Sequence, residues 1–143
     1  MKLWWSWPLL LALLCPGLAW AEPPPSDALF AATLTGLDDK PAALAKFIGK
    51  PLIVNFWARW CGPCRTEIPE LVALSQKYRE RGLEVIGIGL EDQVDSVRDF
   101  AKAYDMDYPV LLAKDQGLPL MQALGNSRTV SYTHLTLPTI YSV

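Results

Sequence analysis

Two cysteines separated by two residues form the side-chain pattern with the most evident chemistry in the sequence. This cysteine motif lies between an apolar run and a segment of helical periodicity, and it reads Trp60-Cys61-Gly62-Pro63-Cys64. A strand leading into a helix here would place Cys61 at the helix N-terminus, where free backbone N–H groups and the helix dipole favour an anion. That anion is the thiolate, which is the reactive form of cysteine. The pattern therefore predicts thiol chemistry at a strand-to-helix junction.

Two elements must position the motif. Residues 51–57 form a continuous apolar run with one polar residue, which predicts a strand buried on both faces of a sheet. Residues 63–81 predict a helix that ends at Gly82, with a kink at Pro69 and one apolar face: Ile68, Leu71, Val72 and Tyr78. The cysteines would then join a buried strand to a packed helix.

The remaining segments alternate between the two kinds of element. Strand-like patterns cover residues 29–36, 83–90 and 110–113, while helical patterns cover 42–47, 94–104 and 118–124. A strand, helix, strand, helix, strand order is typical of parallel pairing with helices on both sides of the sheet. We therefore expect an α/β fold with a central sheet flanked by helices.

The N-terminal segment has the features of an export signal. Residues 1–21 contain one positive charge, then an apolar stretch, then Ala19-Trp20-Ala21, which matches a small-residue cleavage site. An uncleaved membrane anchor and a lipoprotein signal at Cys15 are the alternatives, and the prolines Pro8 and Pro16 interrupt an already short span. We expect a cleaved signal peptide over 1–21, a proline-rich linker over 22–28, and a periplasmic or extracytoplasmic protein.

Cleavage would change the composition of the chain. Without Lys2, 12 of the 13 basic residues remain against all 15 acidic residues, a net charge of −3. Such a balance, with no basic patch, disfavours nucleic acid as a partner. The length suits one domain, which we expect to be a monomer, with two cysteines in a compartment that permits disulfides.

The residues around the motif carry a family resemblance. The stretch from Val54 to Pro69 reads VNFWARWCGPCRTEIP, and it resembles the thioredoxin superfamily, in particular the exported TlpA/ResA-like thiol-disulfide oxidoreductases. The resemblance implies a thioredoxin-like fold with a central mixed sheet and no cofactor. It extends less sharply over residues 30–126.

The resemblance and the spacing together assign roles within the motif. Cys61 would attack a substrate disulfide, and Cys64 would resolve the mixed disulfide by forming a Cys61–Cys64 disulfide. Trp60, Gly62 and Pro63 would support the pair, and Gly62-Pro63 adds no cation that would stabilise the thiolate strongly. We therefore expect a reductase of protein disulfides.

The resemblance also implies partners for a reductase in an oxidising compartment. Such a protein must be kept reduced, and its relatives imply a membrane electron donor of the DsbD/CcdA type. Apocytochrome c thiols, before haem attachment in cytochrome c biogenesis, are one substrate of such families. Because we expect a reductase, the expected substrates are disulfides of other proteins.

Two polar residues near the motif concern proton transfer. Asn55 occupies the strand position at which cytoplasmic thioredoxins resemble one another in having a buried aspartate. Glu67, three residues after Cys64, matches a glutamate that lies near the cysteines in the resembling proteins. We therefore expect Glu67 to transfer the proton of the resolving thiol, with a helix-dipole role in the first turn as the alternative.

Two cysteines at this spacing also occur in haem, metal and structural disulfide sites. A c-type haem site requires histidine after the second cysteine, where Arg65 stands, and a structural zinc site requires two more ligands. Copper(I) held by the two soft thiolates, in a binding or adaptor module, stays as the alternative function, and a structural disulfide as a minor one.

The C-terminal segment departs from the resembling proteins. Residues 129–143 resemble a translated sequencing adapter, so we expect a non-native tail after an incomplete thioredoxin-like domain over 29–128. The C-terminal hairpin and helix would then be missing, which would expose a sheet edge. Pro138 is the candidate for the cis-proline of the fold, although it lies several residues further along the chain than the resembling proteins would place it.

Overall fold

The computed structural model describes residues 26–91, 93–126 and 132–136. They form an α/β unit, as the sequence predicts, and its central mixed sheet has six strands. The strands are β1 (Thr33–Gly36), β2 (Pro41–Ala43), β3 (Leu52–Trp57), β4 (Glu84–Gly89), β5 (Val110–Leu112) and β6 (Tyr132–Thr136). The helices are α1 (Asp27–Ala31), α2 (Gly62–Tyr78), α3 (Val94–Ala103) and α4 (Gly117–Ala123).

The strand order across the sheet is β2-β1-β5-β4-β3-β6. The β3, β4 and β5 strands pair in parallel, which confirms the expectation from the alternating segments. The β1 strand joins β5 antiparallel and forms a hairpin with β2. The β6 strand pairs antiparallel with β3, from Leu52 opposite Thr136 to Phe56 opposite Tyr132. The strand that carries the cysteine motif is therefore paired on both sides.

The helices divide between two hydrophobic clusters, one on each face of the sheet. The apolar face is covered by α1, α4 and the 3₁₀ turn Leu44–Phe47, and its buried residues include Leu29, Leu44, Phe56, Ile88 and Leu124. The cysteine face is covered by α2 and α3, and its buried residues include Trp57, Cys61, Cys64, Ile68 and Tyr108. The pattern of β3 reflects this division, because successive side chains of a strand point to opposite faces.

Local differences from the sequence prediction occur near the N-terminus. The strand expected over 29–36 is wrong in its first half, where α1 forms a single short helix before β1. The helical turn expected over 42–47 begins two residues later, because residues 41–43 pair with β1 as an edge strand. Such short elements have too few residues for a periodicity to distinguish them.

The helix that follows the motif is close to its prediction. It continues through Pro69, an exposed residue, and its last turn tightens into a 3₁₀ helix, Arg79–Arg81, before Gly82. Gly82 adopts a left-handed conformation with φ of 89°, which a glycine adopts without steric cost. Ile68, Leu71 and Val72 are buried as expected, whereas Tyr78 is half-exposed and the buried residue of that turn is Ser75.

Three predicted segments fall wholly or partly outside the described residues. The signal peptide over 1–21, residues 22–25 of the linker over 22–28, and Pro138 lie outside the described residues. Their assignments stay predictions. The β6 strand belongs to the segment 129–143, and the boundary assigned there also stays a prediction. Among the described helices, none combines the length and apolar character needed to cross a membrane.

Candidate active site

The cysteine pair lies at the N-terminus of α2. Cys61 is the N-cap residue, and its sulfur accepts a hydrogen bond from the backbone N–H of Cys64 over 3.3 Å. The two sulfurs form a disulfide, and the Cα atoms are 5.3 Å apart. A backbone donor aimed at the Cys61 sulfur would stabilise a thiolate there after reduction.

Exposure distinguishes the two cysteines. Cys61 retains 7% of its surface and Cys64 retains none, so Cys61 is the sulfur that a partner would reach first. In this disulfide form Cys61 is buried apart from that small exposed fraction. The neighbouring Trp60 is 68% exposed, so its indole lies on the surface next to the pair in sequence.

A tight turn delivers the motif from β3 to α2. The N–H of Cys61 donates to the carbonyl of Ala58 over 3.1 Å and closes the turn. Pro63 then occupies the first turn of the helix, where its missing N–H costs no hydrogen bond. A side chain at Gly62 would meet no atom within 4 Å, so the surface above the pair is open at this position.

Trp57 forms the packed floor of this region. It is fully buried, and its ring stacks on Phe100 of α3 with centroids 4.9 Å apart. Two glycines of β4 make room for the indole, since a Cβ at Gly87 would lie 3.0 Å from Trp57 Nε1 and one at Gly89 3.6 Å from Trp57 Cζ2. Trp57 is therefore a packing residue, and the two glycines that make room for it are ones that sequence reasoning missed.

Asn55 and Glu67, which were singled out separately in the sequence, are hydrogen-bonded to each other. Asn55 Nδ2 donates to Glu67 Oε2 over 3.3 Å and to Thr133 Oγ1 over 3.2 Å. Thr133 Oγ1 donates to Glu67 Oε1 over 2.8 Å. The carboxylate of Glu67 is therefore held between β3 and β6 on the cysteine face, less than one helical turn from Cys64.

Three buried polar atoms of the cysteine face have no hydrogen-bond partner among the described residues. They are Asn55 Oδ1, Trp57 Nε1 and the hydroxyl oxygen of Tyr108. Burial raises the pKa of Tyr108 well above its usual value, and the negative charges of Asp107 and Glu67 add to the effect. Tyr108, which the sequence analysis missed, is therefore a neutral hydroxyl within the electrostatic field of Glu67.

The described residues bring no three His, Cys, Asp or Glu side chains together in a group that could hold a metal ion. The arrangement instead offers a disulfide at a helix N-terminus, a hydrogen-bonded carboxylate three residues further along the same helix, and an exposed indole. These parts are suited to thiol-disulfide exchange, in which one sulfur attacks, a second resolves and a carboxylate carries a proton.

Comparison with known protein families agrees with this chemistry. The model of the AhpC/TSA family matches residues 25–143. A thiol-disulfide oxidoreductase ResA of Bacillus thuringiensis is 36% identical over 92 residues, which cover 64% of this chain and 52% of that protein. The thioredoxin-like protein YneN of Bacillus subtilis is 35% identical over 85 residues, or 57% of this chain and 49% of that protein. The chain spans about half the length of the curated relatives it matches.

Solved structures share the architecture. A thiol:disulfide interchange protein of the thioredoxin family from Chlorobium tepidum superposes with a TM-score of 0.63 at 30% identity, over 73% of each chain. A secreted disulfide oxidoreductase of Mycobacterium tuberculosis, homologous to E. coli DsbE, gives a TM-score of 0.67 at 23% identity. That match covers 78% of this chain and 80% of the other. The thioredoxin-like fold is thus confirmed.

Proposed function

The chain belongs to the AhpC/TSA family and has a thioredoxin-like fold, and we propose that it is an exported thiol-disulfide oxidoreductase that reduces protein disulfides. The observation that carries this proposal is the Cys61–Cys64 disulfide at the N-terminus of α2, with a backbone N–H directed at the Cys61 sulfur. Backbone N–H groups and the helix dipole at a helix N-terminus favour the thiolate, which is the nucleophilic form of cysteine.

The first step is attack by the Cys61 thiolate of the reduced protein on one sulfur of a substrate disulfide. The substrate S–S bond breaks as a new S–S bond forms between Cys61 and the attacked sulfur. The other substrate sulfur leaves as a thiolate and takes a proton from water. The exposed indole of Trp60 provides an apolar surface for the substrate chain beside this mixed disulfide.

The second step releases the substrate. The Cys64 thiol loses its proton, and its sulfur attacks the Cys61 sulfur of the mixed disulfide. The Cys61–Cys64 disulfide forms, and the second substrate sulfur leaves as a thiolate and is protonated. We propose that Glu67 accepts the Cys64 proton; it follows Cys64 by three residues on α2, and its carboxylate accepts a hydrogen bond from Asn55.

The composition of the motif supports the proposed direction of electron flow. No cation or histidine lies between the two cysteines, so the thiolate of the reduced pair gains no additional stabilisation from that dipeptide. The pair then releases electrons to substrates and is reduced again by a donor. We propose a membrane donor of the DsbD/CcdA type, protein disulfides as substrates, and a place in cytochrome c biogenesis.

A direct test is the reduction of insulin disulfides by the full chain in the presence of dithiothreitol. Wild-type protein should accelerate insulin precipitation, and the Cys61→Ser variant should not, because the nucleophile is lost. The Cys64→Ser variant should accumulate a mixed disulfide on Cys61 that mass spectrometry detects. Equal activity of the wild type and Cys61→Ser would reject the function.

The role of Glu67 has a separate test. Glu67→Gln preserves the side-chain shape and retains an oxygen that accepts the Asn55 hydrogen bond, but it accepts no proton at neutral pH. The release step should slow, and the pH profile of insulin reduction should change while thermal unfolding stays the same. An unchanged pH profile would favour a helix-dipole role for Glu67.

A further inference from the structure

A second carboxylate contacts the turn that carries the motif. Arg59 lies in the turn between Ala58 and Cys61, and its backbone N–H donates to Glu91 Oε1 over 3.2 Å. Its side-chain Nε donates to Glu91 Oε2 over 2.5 Å. Glu91 therefore contacts both the backbone N–H and the guanidinium group of Arg59, which lies two positions before Cys61.

The contact joins two neighbouring strand ends. Glu91 follows β4, and Arg59 follows β3, and the N–H of Leu90 donates to the carbonyl of Trp57 over 2.9 Å beside them. The Glu91 side chain is 12% exposed and that of Arg59 41% exposed. Both oxygens of this largely buried carboxylate accept a hydrogen bond from Arg59, one from the guanidinium Nε and one from the backbone N–H, so Glu91 contacts both the charge and the backbone of Arg59.

The charge of Arg59 matters because of its place in the chain. The charged residues nearest the motif in sequence or by contact are Arg59, Arg65, Glu67 and Glu91. Arg65 lies on the exposed surface of α2, and the carboxylate of Glu67 is directed toward Asn55. A free arginine beside Cys61 would stabilise its thiolate and make the disulfide a stronger oxidant.

We propose that Glu91 is a positioning residue that fixes the turn before Cys61 and cancels the charge of Arg59, and so keeps the Cys61–Cys64 pair reducing. This inference rests on the proposed function for its biological meaning. The Arg59–Glu91 pair acts as a neutral unit: removing either charge shifts the thiol-disulfide equilibrium, and removing both restores it. Glu91 contacts no reacting atom and acts through Arg59 and the turn.

The test is the equilibrium of the full chain with reduced and oxidised glutathione, measured by alkylation and mass spectrometry. Two glutathione thiols supply the electrons and protons that convert the Cys61–Cys64 disulfide to two thiols, and one glutathione disulfide forms. Glu91→Gln retains an oxygen for the Arg59 N–H while the negative charge is lost. The equilibrium constant for reduction should rise about three- to fivefold, the effect of one unbalanced charge near the surface.

The opposite variant and the double variant distinguish charge from structure. Arg59→Gln leaves the Glu91 carboxylate unbalanced and should lower the same constant by a similar factor, with a higher pKa of the Cys61 thiol. Arg59→Gln combined with Glu91→Gln should return the constant to within about twofold of wild type. A loss of packing alone would move all three variants in one direction, and that result would overturn the proposal.

A matched control lies at the other end of the same strand. Lys50 and Glu84 form a comparable ion pair of 2.8 Å at the start of β4, and Glu84→Gln should leave the glutathione equilibrium unchanged. An unchanged constant in Glu91→Gln would also overturn the proposal. Because this equilibrium is measured without a protein substrate, a wild type that fails to reduce insulin rejects the proposed function but leaves the charge balance testable.

Discussion

The two faces of the sheet differ in the kinds of side chain that they bury. Under α1 and α4, the apolar face is lined by leucine, isoleucine, valine and phenylalanine side chains. Under α2 and α3, the cysteine face buries Asn55, Trp57 and Tyr108, each with a polar atom that has no partner among the described residues. Burying such atoms without a partner costs stability, so the cysteine face combines apolar packing with polar groups that weaken the fold.

The division is visible within three residues of β3. Asn55 and Trp57 point to the cysteine face and Phe56 to the apolar face, and all three are fully buried. Their roles differ although their burial does not. Substitutions on the apolar face should change stability without changing the chemistry, whereas those on the cysteine face should change both.

The largest effect is expected on the apolar face. Phe56→Ala should lower the free energy of unfolding by about 3–5 kcal/mol, because it removes a buried aromatic ring and leaves a cavity. Urea unfolding measures this change. If the variant does not fold, Phe56→Leu should still lose roughly 1 kcal/mol.

The glutathione equilibrium of the folded Phe56 variant sharpens the comparison. It should equal that of the wild type, since Phe56 packs in the cluster on the other face of the sheet. A shift of more than about threefold, equivalent to 0.7 kcal/mol, would show that the two faces are coupled and would break the distinction.

An intermediate effect is expected at Gly87. A Cβ there would lie 3.0 Å from Trp57 Nε1, 3.2 Å from Tyr108 Cε2 and 3.3 Å from Met106 Cε, so Gly87→Ala overpacks the cysteine face. The expected loss is about 1–3 kcal/mol, with a change in the fluorescence of the buried tryptophan. Gly62→Ala is the matched control, because its Cβ meets open space and should leave stability unchanged or higher.

The smallest effect is expected at Tyr108. Tyr108→Phe removes a buried hydroxyl without a partner, so stability at pH 7 should be unchanged or higher by up to about 1 kcal/mol. The folded protein holds the Tyr108 proton above pH 10, where an unfolded tyrosine loses it. The contribution of this group to the free energy of unfolding is therefore complete below pH 10 and decreases as pH rises above 10.

The free energy of unfolding at alkaline pH is therefore a second measurement that distinguishes Tyr108→Phe from the wild type. By pH 11 the wild type should have lost about 1 kcal/mol that Tyr108→Phe retains, as measured by urea unfolding across pH 8–11. Tyr78→Phe is the control, since Tyr78 is half-exposed. Identical alkaline slopes in the wild type and Tyr108→Phe would contradict the burial of a neutral hydroxyl.

Sequence patterns were sufficient for the long elements. The β3 and β4 strands and the α2 and α3 helices have enough residues for an apolar run or a helical repeat to be evident. The α1 helix has five residues and β2 has three, and neither length contains a repeat. The antiparallel pairing of β1 with β5 joins distant segments, and no local pattern encodes it.

The site was predictable only where its residues are close in sequence. Cys61, Cys64 and Glu67 are close together in the chain, and their positions follow from one helix. The contact of Arg59 with Glu91 spans 32 residues, and the space that Gly87 leaves for Trp57 depends on strand register. Tyr108 carried no motif, and its importance appears only from its burial beside that glycine.

The most direct measurement is the reduction potential of the Cys61–Cys64 pair in the full chain, obtained by equilibration with glutathione buffers and quantified by alkylation. A protein-disulfide reductase should have a potential near the thioredoxin value of about −270 mV, so the disulfide should persist until the buffer is strongly reducing. A potential near about −120 mV, the value of a strong oxidant, would contradict the reductase function.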